Sequence, residues 1–454
     1  MVARPSLTHR DSRLANRYGR YPVHSTADDI SATAGDGEDV APVVVLVAIG
    51  ERAFVRAFEV DGELVLGRRI RDFELDDHRV SREHAAVRFE HGAWVIADRG
   101  SHNGTFVDGA RVAGEVRRRG DCVVRLGHSV FLLVRDGRGY FPLPADDADQ
   151  VVGPELARVY DQVRRHANER TLVVHGESGS GKELVARLFH AAGPRAGGPF
   201  VAVNCATIPE GVAERLLFGS RKGAFSGATD ATGYLQSAHG GTLFLDEIAE
   251  LDLSVQPKLL RALENREVTP VGANAPIEID VGIVCASHRE LRTEVATRRF
   301  REDLFYRLSR AVVRLPPLRD RRLDLSRLIV RELALVDRKL VAHARLVETC
   351  CARPWPGNIR ELCGAIRIAG GAALAAGRLV VRPEDLPSDA GMPLAEPTAA
   401  TPPVGAPSLE RAQVIEALAN AGGVISVAAR SLGLHRTQLY RLMDKLGIAR
   451  DGEP

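Results

Sequence analysis

Three glycines and a lysine, spaced G-x-x-x-x-G-K, stand at Gly176 to Lys182. They follow an apolar run, Thr171 to His175, and open a helical pattern in which Leu184, Val185, Leu188 and Phe189 share a face. Glycine admits backbone angles that turn successive N–H groups inward, and such a concavity holds phosphate oxygens. Gly176, Glu177, Ser178, Gly179, Ser180 and Gly181 would form the cradle, with Lys182 neutralising β- and γ-phosphate charge. A second apolar run ends at Asp246 and Glu247. Asp246 is suited to holding Mg²⁺ through water, and Glu247 to polarising an attacking water. Glu183 occupies the position where the general pattern has a Ser or Thr hydroxyl on Mg²⁺, so that ligand is missing. Together these residues point to binding and hydrolysis of ATP.

Between the two pieces lie Gly223, Ala224, Phe225, Ser226, Gly227 and Ala228. Small residues around one aromatic suggest a loop that presses Phe225 against another protein. Two arginines, Arg301 and Arg307, bracket a helical pattern with Asp303 between them. Taken alone, that stretch is a helix face with ion pairs.

The elements that must position these groups are legible from pattern. The chain has 454 residues, 61 Lys+Arg against 59 Asp+Glu, and 45% apolar residues, so it divides into several domains and its global charge selects no partner. Its six cysteines form no C-x-x-C pair, which predicts buried thiols in a reducing compartment without zinc or disulfides. The longest strongly apolar run, Val43 to Ile49, is strand-sized and too short for a bilayer. A cytoplasmic chain without membrane association is expected.

The fold class expected is multidomain. Residues 1–42 are polar and aperiodic, the composition of a disordered arm. Residues 43–137 carry short β-type runs broken by Asp61-Gly62, Asn103-Gly104 and Asp108-Gly109, which predicts an all-β sandwich. A short polar linker, 146–150, follows. Residues 151–387 alternate strand and helix, the pattern of an α/β domain with a parallel sheet, ending from about residue 321 in a helical lid. Residues 388–407 are Pro/Ala/Gly-rich and read as a tether. Residues 408–450 are helical, with Ala412, Ile415, Leu418 and Ala419 as the first apolar face.

The central domain resembles the AAA+ P-loop ATPase domain of bacterial enhancer-binding proteins, the activators of sigma-54 RNA polymerase. The resemblance rests on the glycine loop and on Phe200 to Ala206, Leu217 to Gly219, Gly223 to Ala228, Gly241 to Ile248, Phe300 to Leu308, Leu315 to Arg319 and Trp355 to Leu362. Glu183 after the lysine is that family's habit. The resemblance implies that Asn204 holds Glu247 as a γ-phosphate switch. It makes Arg301 and Arg307 fingers that complete a neighbour's site, and Arg360 the lid residue that senses nucleotide. It gives the Gly223–Ala228 loop a sigma-54 contact and the active form a homo-oligomeric ring, usually a hexamer. Ser226 stands where the family has Thr, and His288 where its sensor strand has Asn; His288 retains a hydrogen-bond donor toward the nucleotide.

The sandwich resembles the forkhead-associated (FHA) domain, a phosphothreonine reader, through Gly67-Arg68, Ser81 to His84 and Ser101 to Gly109. Arg68 offers a bidentate grip on phosphate. Ser81 and Arg82 add donors, Asn103 would hold the peptide backbone, and His84 braces the loops. The ligand expected is a phosphothreonine-containing protein or the chain's own segment, with Thr8, Thr26 and Thr33 as candidates.

The last segment is similar to the Fis-type helix-turn-helix. Leu439, Leu442, Met443 and Leu446 would pack inward, leaving His435, Arg436, Thr437, Gln438, Tyr440 and Arg441 to face enhancer DNA. The whole reads as a sigma-54-dependent regulator gated by phosphothreonine. The alternative is an AAA+ DNA-binding regulator that does not engage sigma-54.

Overall fold

A computed structural model describes residues 41–138, 140, 153–209, 211–224, 229–393, 411–421, 425–432, 439, 443 and 448. The expected arm through residue 40, the linker at 146–150, Phe225 to Ala228, most of the tether and the six expected DNA-facing residues lie outside them. Residues 1–393 form one unit and 394–454 a second.

The amino-terminal part of the first unit is two antiparallel sheets face to face. One has six strands in the order Arg52–Glu59, Val43–Ile49, Ser129–Val134, Cys122–Leu126, Thr105–Val107, Ala110–Arg111. The other has four, in the order Glu115–Arg118, Ala93–Asp98, Ala85–Glu90, Glu63–Leu66. Val44, Leu46, Phe131 and Leu133 point inward with Trp94 and Ile96 to make the sandwich core.

The opposite face of the six-stranded sheet is also buried. Val43, Val45, Val47, Val130, Leu132 and Val134 join one continuous core with lid residues Leu325, Ile329, Leu333, Leu346 and Ile366. Residues Val43 to Ala48 are therefore buried without alternation, as in a strand covered on both sides. A strand reading VVVLVAI carries that signal. The sandwich is thus packed on the lid.

An ion pair crosses this junction, Arg125 Nε to Glu348 Oε2 at 2.5 Å, with side chains 11% and 5% exposed. Arg125→Leu leaves Glu348 as a buried, unmatched charge. The expected loss is about 3–5 kcal/mol, with most of it recovered in Arg125→Leu/Glu348→Leu. Urea unfolding of the three proteins checks this.

The central domain is a five-stranded parallel sheet in the order Phe200–Asn204, Thr242–Asp246, Gly282–Ser287, Thr171–His175, Val312–Arg314. Helices cover both faces, and separate apolar cores fill the two sides. The lid is three helices, Leu323–Val336, Ala344–Ala352 and Asn358–Ala375, tied by a short parallel pair at Val341–Ala342 and Val380–Val381. The tether begins later than composition indicates. Ala390 is buried on the lid, and Gly391 sits against the Trp355 ring with φ +69°.

In the second unit, helices Arg411–Asn420 and Ile425–Ser431 pack with Leu439 and Met443. The inward face of the first is Val414, Leu418 and Ala421, whereas Ile415 is 42% exposed. The expected face was rotated because alanines fit either side of a helix and do not mark it. All six cysteines are free and buried. Among the described residues no helix is long and apolar enough to cross a membrane.

Candidate active site

The glycine loop joins the interior strand Thr171–His175, fourth in the sheet, to the helix Lys182–Ala192. Gly179 and Gly181 have φ of +74° and +106°, a region that favours glycine. A Cβ on Gly179 would also lie 2.4 Å from the Gly357 carbonyl oxygen, because the lid closes on the loop here. Ile359 N donates to Gly179 O at 3.1 Å, and Arg360 Nη1 to Ser178 Oγ at 3.1 Å. Ser180 Oγ donates to Glu177 O.

Three further residues hold the loop. Arg319 donates two hydrogen bonds to the Glu177 carboxylate, at 3.0 and 2.8 Å, holding that carboxyl below the usual range. Buried Asn358 donates to Glu177 Oε2 and Ser178 O, both at 3.0 Å. Buried Arg321 donates to Ser180 O. None was assigned a role from sequence. Arg319 and Asn358 fall inside quoted motifs, and only folding brings them to the loop.

Lys182 is 7% exposed at its side chain. Its Nζ donates to Gly176 O at 3.0 Å and Glu177 O at 3.3 Å, and lies 3.4 Å from Glu247 Oε1. The backbone N–H groups of Lys182 and Glu183 begin a helix and lack intrahelical acceptors, so they remain available to an anion. The Glu183 side chain points elsewhere, to Arg187 at 2.8 Å.

Asp246 and Glu247 end the neighbouring strand but one. Glu247 has φ +52°, a strained conformation costing about 1–3 kcal/mol and typical of functional sites. Its carboxylate accepts from His288 Nδ1 at 2.6 Å and lies near Lys182. Burial pushes the Glu247 carboxyl up, but the His288 hydrogen bond and the Lys182 charge together hold it below the ordinary range. Asp246 is shifted the other way, by burial and then by Glu247's charge. A site with two adjoining carboxylates and one lysine favours a cation. Among the described residues no group of three metal-binding side chains exists. That donor set fits Mg²⁺ held by one carboxylate and by substrate phosphates.

One expectation is corrected. Asn204 does not hold Glu247: its Oδ1 accepts from Ala206 N at 2.9 Å and caps the short turn that follows its strand. His288 has that place instead.

On the sandwich, Arg68 is exposed, with Nε donating to Val80 O at 2.8 Å. Its backbone N donates to Ser81 O. A Cβ on Gly67 would lie 2.0 Å from Arg82 O, so only glycine permits this approach. Ser81 Oγ accepts from His102 N, and Asn103 Nδ2 donates to Arg79 O at 2.7 Å. Arg68, Ser81 and Asn103 thus share one loop edge, with Arg82 exposed beside them. His84 is fully buried and braces the edge, accepting from Ser81 N at Nδ1 and bonding Gly104 O through Nε2. Burial pushes its pKa down, which keeps it neutral.

A sigma-54 interaction domain matches residues 151–314, an FHA domain residues 64–127, and a bacterial regulatory protein domain of the Fis family residues 406–446. The transcriptional regulatory protein ZraR of Salmonella typhi is 39% identical over 67% of this chain and 70% of its own length. The chain belongs to the sigma-54-dependent transcriptional activators. The Nif-specific regulatory protein of Azotobacter vinelandii is 41% identical over 66% of this chain, and NtrC of Azospirillum brasilense 45% identical over 50%. This chain spans 59% and 50% of their respective lengths. A crystal structure of NtrX from Brucella abortus in complex with ATP aligns at TM-score 0.47 and 30% identity over 66% of this chain and 69% of that one.

In this sigma-54 activator the base of the Gly223–Ala228 loop is pinned. Ser220 bridges both Ala231 and Val271, and Lys222 N donates to Asp230 Oδ1. Gly223 has φ +87°, and Ala224 packs on Gly272. Arg301 pairs with Asp303 at 2.7 Å. Arg307 donates to Leu263 O and lines a cleft of about 270 Å³ with Arg170, Thr171, Arg266 and Arg310. Thr171 starts the strand that Gly176 follows, so this cleft and the glycine loop lie at opposite ends of the sheet, ~16 Å of strand apart.

Proposed function

We propose that the chain hydrolyses ATP with Mg²⁺ in a homo-oligomeric ring and uses the energy to remodel sigma-54 RNA polymerase at promoters served by an upstream enhancer. Lys182 and the glycine loop bind phosphate, Glu247 orients the attacking water, and Asp246 carries the Mg²⁺ through water. Bound Mg²⁺ would draw charge from the phosphate oxygens. Arg360 reports on occupancy from the lid. Arg301 and Arg307 act on a neighbour's nucleotide. The observation that carries this reading is the position of Arg307 at the far end of the sheet from its own glycine loop. A cation there serves catalysis only if a second copy supplies the phosphate.

The loop Gly223 to Ala228 would be the sigma-54 contact, moved through its pinned base, and the carboxy-terminal helices would place the ring on DNA through His435, Arg436, Thr437, Gln438, Tyr440 and Arg441. The FHA edge, with Arg68, Ser81, Arg82 and Asn103, would gate the machine by recognising phosphothreonine. The shared core between sandwich and lid supports such gating, because the same lid touches the glycine loop through Asn358, Ile359 and Arg360.

Phe225→Ala should leave basal ATP turnover within about twofold and abolish transcription from a sigma-54 promoter in a reconstituted assay. Full transcription by that variant would remove sigma-54 contact from the account.

A further inference from the structure

Where the sandwich meets the lid, two histidines face each other. His128 lies in the turn between the strands Cys122–Leu126 and Ser129–Val134, and His343 at the start of the lid helix Ala344–Ala352. Their rings meet edge to face, with centroids 5.3 Å apart and planes at 73°. Both residues are half-buried. The same strands and the same helix supply Val123, Val130, Leu132, Leu346 and Cys350 to the shared apolar core.

His343 caps its helix: Nδ1 accepts from the backbone N–H of Arg345 at 3.1 Å. A backbone N–H can only donate, so Nδ1 carries no proton and the ring is the neutral form protonated at Nε2. An imidazolium has two N–H groups and no acceptor, so a proton on this ring destroys the cap. It also sets a cation at a helix start, where the backbone dipole disfavours one. The surrounding charges act in the same direction. Arg345 on its own helix, Arg382 elsewhere on the lid, and Arg125 and His128 from the sandwich all oppose a positive charge on His343. The other charged groups lining the cleft here are Arg79, Glu348 and Glu384. Glu348 is engaged by Arg125 and Glu384 by Arg345. Asp77, which accepts from His128 N, also accepts from Ser129 Oγ and Arg79 N. Carboxylates do pair with His175 and His288, but among the described residues none pairs with His128 or His343.

We propose that His343, with His128 against it, is an acid-sensitive latch on the joint between sandwich and lid. With both rings neutral the latch is shut. A proton from solvent on His343 removes the helix cap and sets a new charge against Arg125, Arg345 and Arg382, and the joint opens. Burial first, then His128 and the three arginines, push the His343 pKa down while the joint is closed. Opening lets the ring return toward its ordinary value near 6.5. Closure is therefore fully favoured above about pH 6.5 and weakens as the pH falls below it. Acid would thereby free from the sandwich the lid that touches the glycine loop through Asn358 and Arg360. The latch does not depend on what the FHA edge binds.

The test is hydrogen exchange on the full chain at about pH 7.5 and about pH 5.5, either side of the ordinary histidine value. It is read as protection factors, which already allow for the intrinsic effect of pH. Protection of amides in the helix Ala344–Ala352 should fall roughly five- to tenfold on acidification, the scale of a lost cap beside a misplaced charge. His343→Asn keeps a capping oxygen and cannot take the proton, so its protection should change less than about twofold. His343→Ser, a second capping residue that does not titrate, repeats the comparison should the asparagine variant fold poorly. Unchanged protection in the unaltered protein would overturn the latch. An acid loss as large in both variants as in the unaltered protein would also overturn it, because another group would then carry the response.

Discussion

Glu247→Gln should bind ATP as tightly as the unaltered protein and hydrolyse it about 10²- to 10⁴-fold more slowly, the range for loss of a positioned general base. Glutamine matches glutamate in size and keeps an oxygen facing His288 and Lys182, so the glycine loop should retain its shape. What it loses is the negative charge. Glu247 carries that charge because the His288 hydrogen bond and Lys182 outweigh the effect of burial. Since this carboxyl is held below its ordinary range, it remains ionised at neutral pH and can polarise water. The strained backbone at φ +52° aims the side chain and is unaffected by the change. Equilibrium binding of a fluorescent ATP analogue together with steady-state phosphate release separates the two effects. Normal hydrolysis by Glu247→Gln would remove it from the mechanism.

A second large effect is expected from mixing two inactive proteins. Lys182→Ala removes the phosphate cation from a protomer's own site, and Arg307→Ala removes the finger it lends its neighbour. Arg307→Ala alone should lose roughly a thousandfold in turnover, the scale seen when a transition-state arginine is deleted. The exposed cleft around Arg307 should tolerate the change without unfolding. In a mixture, some interfaces pair an intact glycine loop with an intact Arg307, so hydrolysis should partly return. Recovery depends on Arg307 lying at the opposite end of the sheet from Gly176. If the mixture stays as inactive as its components, Arg307 does not act between copies.

Much of the nucleotide site was legible because its chemistry is local in sequence. A glycine loop after a strand and an acidic pair ending another strand are complete signals within a few residues, and the fold sets them at the same end of the sheet, on strands separated only by Gly282–Ser287. The residues that brace the loop were not legible in this way. Arg319, Arg321 and Asn358 lie 142, 141 and 180 to 181 positions from their partners, and no local pattern says which arginine will meet which carboxylate. Asn204 was misassigned because an asparagine at a strand end can cap the following turn as readily as hold a neighbour. His288 could have been found: a titratable ring on the sensor strand beside Glu247 is an obvious partner for a carboxylate.

The joint between sandwich and lid was written in the apolar runs. Val43 to Ala48 and Val130 to Val134 do not alternate, and a sandwich with one wet face should. Reading each domain as self-contained hid the consequence that both faces of that sheet are covered.

The central claim is that ATP cleavage in a ring of these chains opens promoter DNA through sigma-54 polymerase. Start-site melting, followed by permanganate reactivity while phosphate release is monitored in the same reaction, tests it most directly. With enhancer DNA, sigma-54 polymerase and a phosphothreonine peptide present, thymines at the start site should become reactive only while ATP is consumed. Rapid ATP consumption with an unreactive start site, in both phosphorylated and unphosphorylated states, would contradict the account.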